Sequence, residues 1–73
     1  MKDAEKDEII EIFESVKPYL NSPQDLESVV KDEAESSSGL QDFEKKFDKL
    51  VSKEENPTVR ADYRIFLNKL RAK

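Results

Sequence analysis

The chain has 73 residues, of which 41% are charged and 36% hydrophobic, and its formal net charge is -4. It contains no His, Cys or Trp, which excludes disulfides, thiol nucleophiles, zinc sites built on His or Cys, and the commonest general base. The length predicts a single helical domain over residues 1–73. The charged N-terminus lacks the apolar stretch of a secretory signal, and no run of about twenty apolar residues occurs. We therefore expect a cytoplasmic protein.

The first predicted helix covers residues 3–17. Four apolar residues recur at the spacing of one helical face: Ile9, Ile12, Phe13 and Val16. Pro18 lacks an N–H and disfavours helical geometry at the residue before it, so the helix should end there. We expect Tyr19 and Leu20 to fold beneath the bundle as a hydrophobic corner.

The second predicted helix covers residues 23–35. Ser22 at the N-cap, Pro23 at the first helical position and Asp25 in the first turn form a start signal. The apolar stripe that follows is thin: Leu26, Val29, Val30 and Ala34. The serine run 36–38 and Gly39 should end this helix, because serines bond locally to the backbone and glycine readily leaves helical geometry.

The third predicted helix covers residues 39–53, and the fourth covers residues 57–71. Ser38 and Gln41 have the spacing of a capping box for the third helix, and Asn56 before Pro57 marks the start of the fourth. The third helix has the stripe Leu40, Phe43, Phe47, Leu50 and Val51. The fourth has the stripe Val59, Tyr63, Phe66, Leu67 and Leu70.

These elements predict an all-α fold, either a small four-helix bundle or an orthogonal array of four short helices. No segment alternates with period two over a strand length, and no Asn-Gly or Asp-Gly hairpin turn occurs. A chain of this size buries only about 60% of its unfolded surface. We therefore expect a stability of a few kcal/mol unless the protein self-associates.

The charges are distributed unevenly along the chain. Residues 1–35 hold eleven acidic residues and four lysines, whereas residues 36–73 hold six acidic residues and nine Lys or Arg. Such polarity orients a partner by long-range steering. It is equally compatible with internal neutralisation, in which the acidic first half lies against the basic last helix. We favour this internal interpretation.

The last helix carries the most informative surface. At 100° per residue, Arg60, Arg64 and Arg71 fall within an arc of about 40° beside the apolar stripe. Arginine grips carboxylates and phosphates with two parallel hydrogen bonds, so these residues could dock an acidic protein or a nucleic acid. The alternative that we favour is pairing with acidic residues of the first two helices. Ile65 lies opposite the stripe, and Ile10 lies off the stripe of the first helix, so both are candidate contact residues.

No motif for catalysis or for a cofactor is present. Placing Gly39 at the turn of an EF-hand loop puts Ala34 and Lys45 at the first and last ligand positions, which cannot bind calcium. The serines have no His to activate them, and a single glycine cannot form a phosphate-binding loop. The sequence therefore predicts no enzyme activity, no catalytic, cofactor or metal residues, and no cofactor.

The function that these features favour is a non-enzymatic, acidic module that binds another protein. We predict the partner-binding residues to be Arg60, Arg64, Ile65 and Arg71. An inhibitor or immunity-type accessory protein is a concrete version, by analogy of size and architecture alone. One alternative is a nucleic-acid-associated regulator that uses the basic last helix, although the isoelectric point of about 4.8 disfavours nucleic acid. Another is a structural, self-associating protein, in which Ile10 and Ile65 lie in a homodimer interface. No membrane contact is expected.

Overall fold

The helices begin and end where the sequence predicts. The computed structural model describes residues 2–72, and within them no strand occurs. Its four helices are α1 (Asp3–Val16), α2 (Pro23–Ser36), α3 (Leu40–Lys53) and α4 (Pro57–Ala72). A short 3₁₀ turn, Lys17–Tyr19, follows α1. The all-α prediction with four helices is confirmed.

One hydrophobic core joins all four helices, and α4 packs against α1, α2 and α3. At its centre, the ring of Phe47 lies 5.1 Å from that of Phe66, 5.4 Å from Tyr63 and 5.7 Å from Phe43. Aromatic rings at these separations add attraction beyond the area that they bury. The buried hydrophobic residues are Ile9, Ile12, Phe13, Val16, Leu26, Val30, Ala34, Phe43, Phe47, Val51, Phe66 and Leu67.

Two expectations about apolar residues are corrected. Tyr19 does not fold beneath the bundle, since 73% of its surface is exposed and only Leu20 packs against the core. Ile65 does not stand clear of the core, because it is half-buried and packs against it. The reason is that α4 contacts three other helices, so the arc that it buries is wider than one apolar stripe. Ile10 is half-buried and lies outside the set that packs on the core.

The start of α4 is capped as the sequence predicts. The side-chain oxygen of Asn56 accepts hydrogen bonds from the backbone N–H of Thr58, at 2.9 Å, and of Val59, at 3.4 Å. Pro57 occupies the first helical position, where a missing N–H has no cost.

The start of α3 is capped differently from the prediction. Gly39, and not Ser38, is the N-cap residue, so the expected capping box of Ser38 with Gln41 is wrong. Two carboxylates accept the free backbone N–H groups instead: Glu5 of α1 from Leu40 at 3.2 Å, and Asp42 from Ser38 at 3.0 Å. The N-terminus of α3 is thereby tied to α1.

Because of these two carboxylates, Glu5 and Asp42, we expect the stability of the fold to fall in acid. Hydrogen bonds from the backbone N–H groups of Lys2 and Leu40 lower the pKa of Glu5, and that of Ser38 lowers the pKa of Asp42. A pKa lowered by folding adds stability that is complete above the unfolded pKa of about 4 and is lost as the pH falls through the folded value. We expect the midpoint of urea unfolding to drop between pH 7 and pH 3, and to drop less in a Glu5→Gln/Asp42→Asn double variant. Equal drops in both proteins would refute this assignment.

No helix within residues 2–72 has both the length and the apolar character needed to cross a bilayer.

Candidate functional site

The three arginines of α4 line one groove on the protein surface. Arg60, Arg64 and Arg71 are separated by four and seven residues, which places them on the same side of a helix. The groove lies between α4 and α3 and has a volume of about 550 Å³. We call it the arginine groove; its lining residues are Asp48, Val51, Ser52, Arg60, Arg64, Leu67, Asn68 and Arg71.

The floor of the arginine groove is apolar. Val51 of α3 and Leu67 of α4 line it, and they are only 7% and 3% exposed. Both residues belong to the core, so their positions are fixed by packing on the remaining helices. A rigid apolar floor beside positive charges is suited to binding an amphipathic segment.

Arg60 is held at one end of the arginine groove. Its Nε donates to the backbone carbonyl oxygen of Glu54 at 2.9 Å, and its Nη2 donates to the same oxygen. Glu54 is the C-cap residue of α3, so Arg60 satisfies a carbonyl that the helix leaves without an intrahelical partner. Part of its hydrogen-bonding capacity is therefore used inside the fold.

Arg71 is held at the other end. Its Nε donates to Glu44 Oε1 at 2.8 Å, and its Nη2 lies 3.4 Å from Asp48 Oδ1. The hydrogen bond to Glu44 is the main cause of a raised pKa for Arg71, and the charge of Asp48 adds to it. Both acidic partners belong to α3.

Arg64 lies between these two residues and is exposed. It makes no hydrogen bond or ion pair with any residue in the described part of the chain. A guanidinium carries five donors arranged to meet a carboxylate or a phosphate. Among the three arginines of this site, Arg64 is therefore the one whose donors are all available to a ligand.

The expected internal neutralisation is corrected by these contacts. The partners of Arg60 and Arg71 belong to α3 and the residue after it, not to α1 or α2. The sequence could not reveal this, because its charge pattern does not show which helix lies beside the arginines. The arginines do not neutralise the acidic outer face of α1, which stays on the surface.

Of the four predicted partner-binding residues, the structure brings Arg60, Arg64 and Arg71 together and leaves out Ile65. Ile65 does not line the arginine groove, and its half-buried side chain faces the core. It therefore lies outside the candidate site.

Sequence reasoning missed a buried carboxylate, Asp62, on the opposite side of α4 from the arginines. Asp62 is 2% exposed. It accepts hydrogen bonds from the backbone N–H of Asn21 at 2.9 Å, the side-chain amide of Asn21 at 3.1 Å, and the backbone N–H of Ser22 at 2.8 Å. Ser22 is the predicted N-cap of α2, but its side chain makes no capping bond. Asp62 instead accepts from the N-cap residue itself and from the residue before it, and so fixes the turn that leads into α2 across forty residues of the chain.

The site and fold thus define a small all-α protein with a cationic, apolar-floored groove on its surface. A model of the MJ1579 family matches residues 4–73, so the chain belongs to that family. The family description names no activity, substrate or partner. No curated protein and no solved structure matches the chain significantly.

Proposed function

We propose that this chain is a non-enzymatic, cytoplasmic module that binds another protein through the arginine groove. The observation that carries the proposal is Arg64, an exposed guanidinium without an internal partner among residues 2–72, which lines the same groove as the buried apolar residues Val51 and Leu67. Such a site fits an acidic amphipathic segment, whose carboxylates meet the arginines while an apolar side chain covers the floor. Action as an inhibitor or immunity-type accessory protein is one concrete form of this function.

Protein is favoured over nucleic acid as the ligand by the charges around the groove. Asp48 lines it and Glu44 adjoins Arg71, so these carboxylates would repel a second anionic group near Arg71 and disfavour a continuous phosphate backbone, whereas a segment with one carboxylate at Arg64 avoids them. Nucleic-acid affinity also rises with the number of phosphates neutralised, and three arginines, two of them already engaged, neutralise few. A role as a nucleic-acid-associated regulator remains the weaker alternative.

Charge reversal at Arg64 tests the proposed function. We expect immobilised wild-type protein to retain a partner from an extract of its native cell, and the Arg64→Glu variant to lose it. A desolvated charge contact at an interface is worth about 2 kcal/mol or more in binding, which is roughly thirtyfold in affinity. Lys31→Glu is the matched control, because Lys31 is an exposed cation of α2 whose reversal changes the net charge equally, and its one ion pair, with Glu27 at 3.9 Å, is exposed and contributes little to stability.

The outcome is decided by the difference between the two variants. A protein retained by the wild type and by Lys31→Glu, but not by Arg64→Glu, supports the arginine groove as the docking surface. Retention that Arg64→Glu leaves unchanged would refute it.

A further inference from the structure

The outer face of α1 carries the chemical complement of the arginine groove. Asp3, Asp7, Glu11 and Glu14 are all exposed and recur every three or four residues, so they form one line along the helix. We call this line the carboxylate column. Within residues 2–72 none of the four makes a hydrogen bond or an ion pair. The column therefore presents four unneutralised charges to the solvent.

The carboxylate column and the three arginines share a spacing. Asp3, Asp7 and Glu14 are separated by four and seven residues, and so are Arg60, Arg64 and Arg71. Because both sets lie on α-helices, each extends over about 16 Å at 1.5 Å per residue. When the two helices lie side by side and parallel, Asp7 meets Arg64, while Asp3 and Glu14 lie level with Arg60 and Arg71, which keep their contacts with Glu54, Glu44 and Asp48.

We infer that the arginine groove also binds the α1 helix of a second copy of this chain, with Asp7 of one copy on Arg64 of the other. The inference rests on the proposed function in so far as both use the same groove, and self-association then competes with partner binding. The contact is heterologous, because groove and column are different surfaces, so each copy can offer both. The acidic first half of one copy attracts the basic second half of the other and steers this orientation.

Sedimentation velocity of the purified protein tests this inference. We expect the average mass of the wild type to rise above that of a monomer as the concentration approaches about 1 mM at low salt, since contacts made mainly of exposed ion pairs are weak. Asp7→Arg and Arg64→Glu should each weaken association by about two- to thirtyfold, because each replaces an attraction by a repulsion of similar size.

Mixing the two variants gives the sharpest result. Arg64→Glu keeps an intact carboxylate column, and Asp7→Arg keeps an intact arginine groove. An equimolar mixture should therefore form heterodimers at concentrations where each variant alone is monomeric. Lys31→Glu and Asp32→Arg are the matched controls on α2, where both residues are exposed, and each should associate like the wild type.

Three results would overturn the inference: a wild type that stays monomeric up to about 1 mM, single variants that associate like the wild type, or a mixture no heavier than its components. These failures are separable from failure of the proposed function. Capture of a partner that is lost with Arg64→Glu, together with a monomeric wild type, removes self-association alone. Self-association without such capture removes the proposed partner binding alone.

Discussion

Replacing Asp62 with alanine is expected to destabilise the fold by about 2 to 4 kcal/mol. The variant removes the buried acceptor of three hydrogen bonds, and it leaves the half-buried N–H of Ser22 and the donors of Asn21 without that partner. An unsatisfied buried donor costs about 1 to 3 kcal/mol. The loss also removes a negative charge from the N-terminus of α2, where the helix dipole favours it. The total free energy of unfolding of such small domains is about 3 to 5 kcal/mol, so much of the variant should be unfolded at room temperature.

Two matched variants complete this test in urea unfolding. Asp62→Asn keeps one acceptor oxygen but turns an N–H donor toward the backbone N–H groups. Its loss of stability should therefore lie between those of Asp32→Ala and Asp62→Ala. Asp32→Ala removes an exposed carboxylate of α2 and should stay within about 0.5 kcal/mol of the wild type. An Asp62→Ala variant as stable as Asp32→Ala would show that the buried hydrogen bonds contribute nothing.

Truncation of Phe47 to alanine is the second change with a large expected effect. Phe47 is fully buried and its ring contacts those of Phe43, Tyr63 and Phe66. Phe→Ala in a core costs about 3 to 5 kcal/mol, because the transfer free energy is lost and a cavity remains. That equals the whole expected stability of the domain. We expect the far-ultraviolet circular dichroism of the variant to lack a cooperative thermal transition.

Tyr19→Ala is the control for this experiment, since it removes an aromatic ring that is 73% exposed. Its melting temperature should stay within a few degrees of the wild type, which corresponds to about 0.5 kcal/mol. A cooperative transition of Phe47→Ala at the wild-type melting temperature would contradict the claim that Phe47 and its ring contacts stabilise the core.

The helix boundaries were predictable because local signals agree with one another. Pro23 and Pro57 stand at first helical positions after Ser22 and Asn56, and the apolar spacing changes at the same places. Each predicted boundary lies within one residue of the observed one. Such signals act over four or five residues, so they can be read without knowing the tertiary fold.

The contacts that join distant segments were not predictable. Asp62 accepts from Ser22, the N-cap residue of α2, across forty residues, and Glu5 accepts from Leu40 across thirty-five. One signal was available for Asp62: it lies about 60° from Val59 on the helical wheel, at the edge of the apolar stripe. An acidic residue at such a position points toward a buried hydrogen-bonding role.

Only the part of the candidate site that depends on one helix was predictable. The common side of Arg60, Arg64 and Arg71 follows from their spacing on one helix. Their internal partners depend on α3 lying beside α4, which charge patterning does not reveal. Arg64 differs from the other two arginines because Glu54 binds Arg60 and Glu44 binds Arg71. These contacts are visible only in the three-dimensional structure.

The central claim, that Arg64 serves a ligand and not the fold, is tested most directly by measuring stability and binding of Arg64→Glu together. Because Arg64 has no internal partner in the described part of the chain, its melting temperature should match that of Lys31→Glu within the few degrees that surface changes cause. Its partner binding should fall roughly thirtyfold or more. A large drop in melting temperature with unchanged partner affinity would contradict the claim and assign Arg64 to the bundle itself.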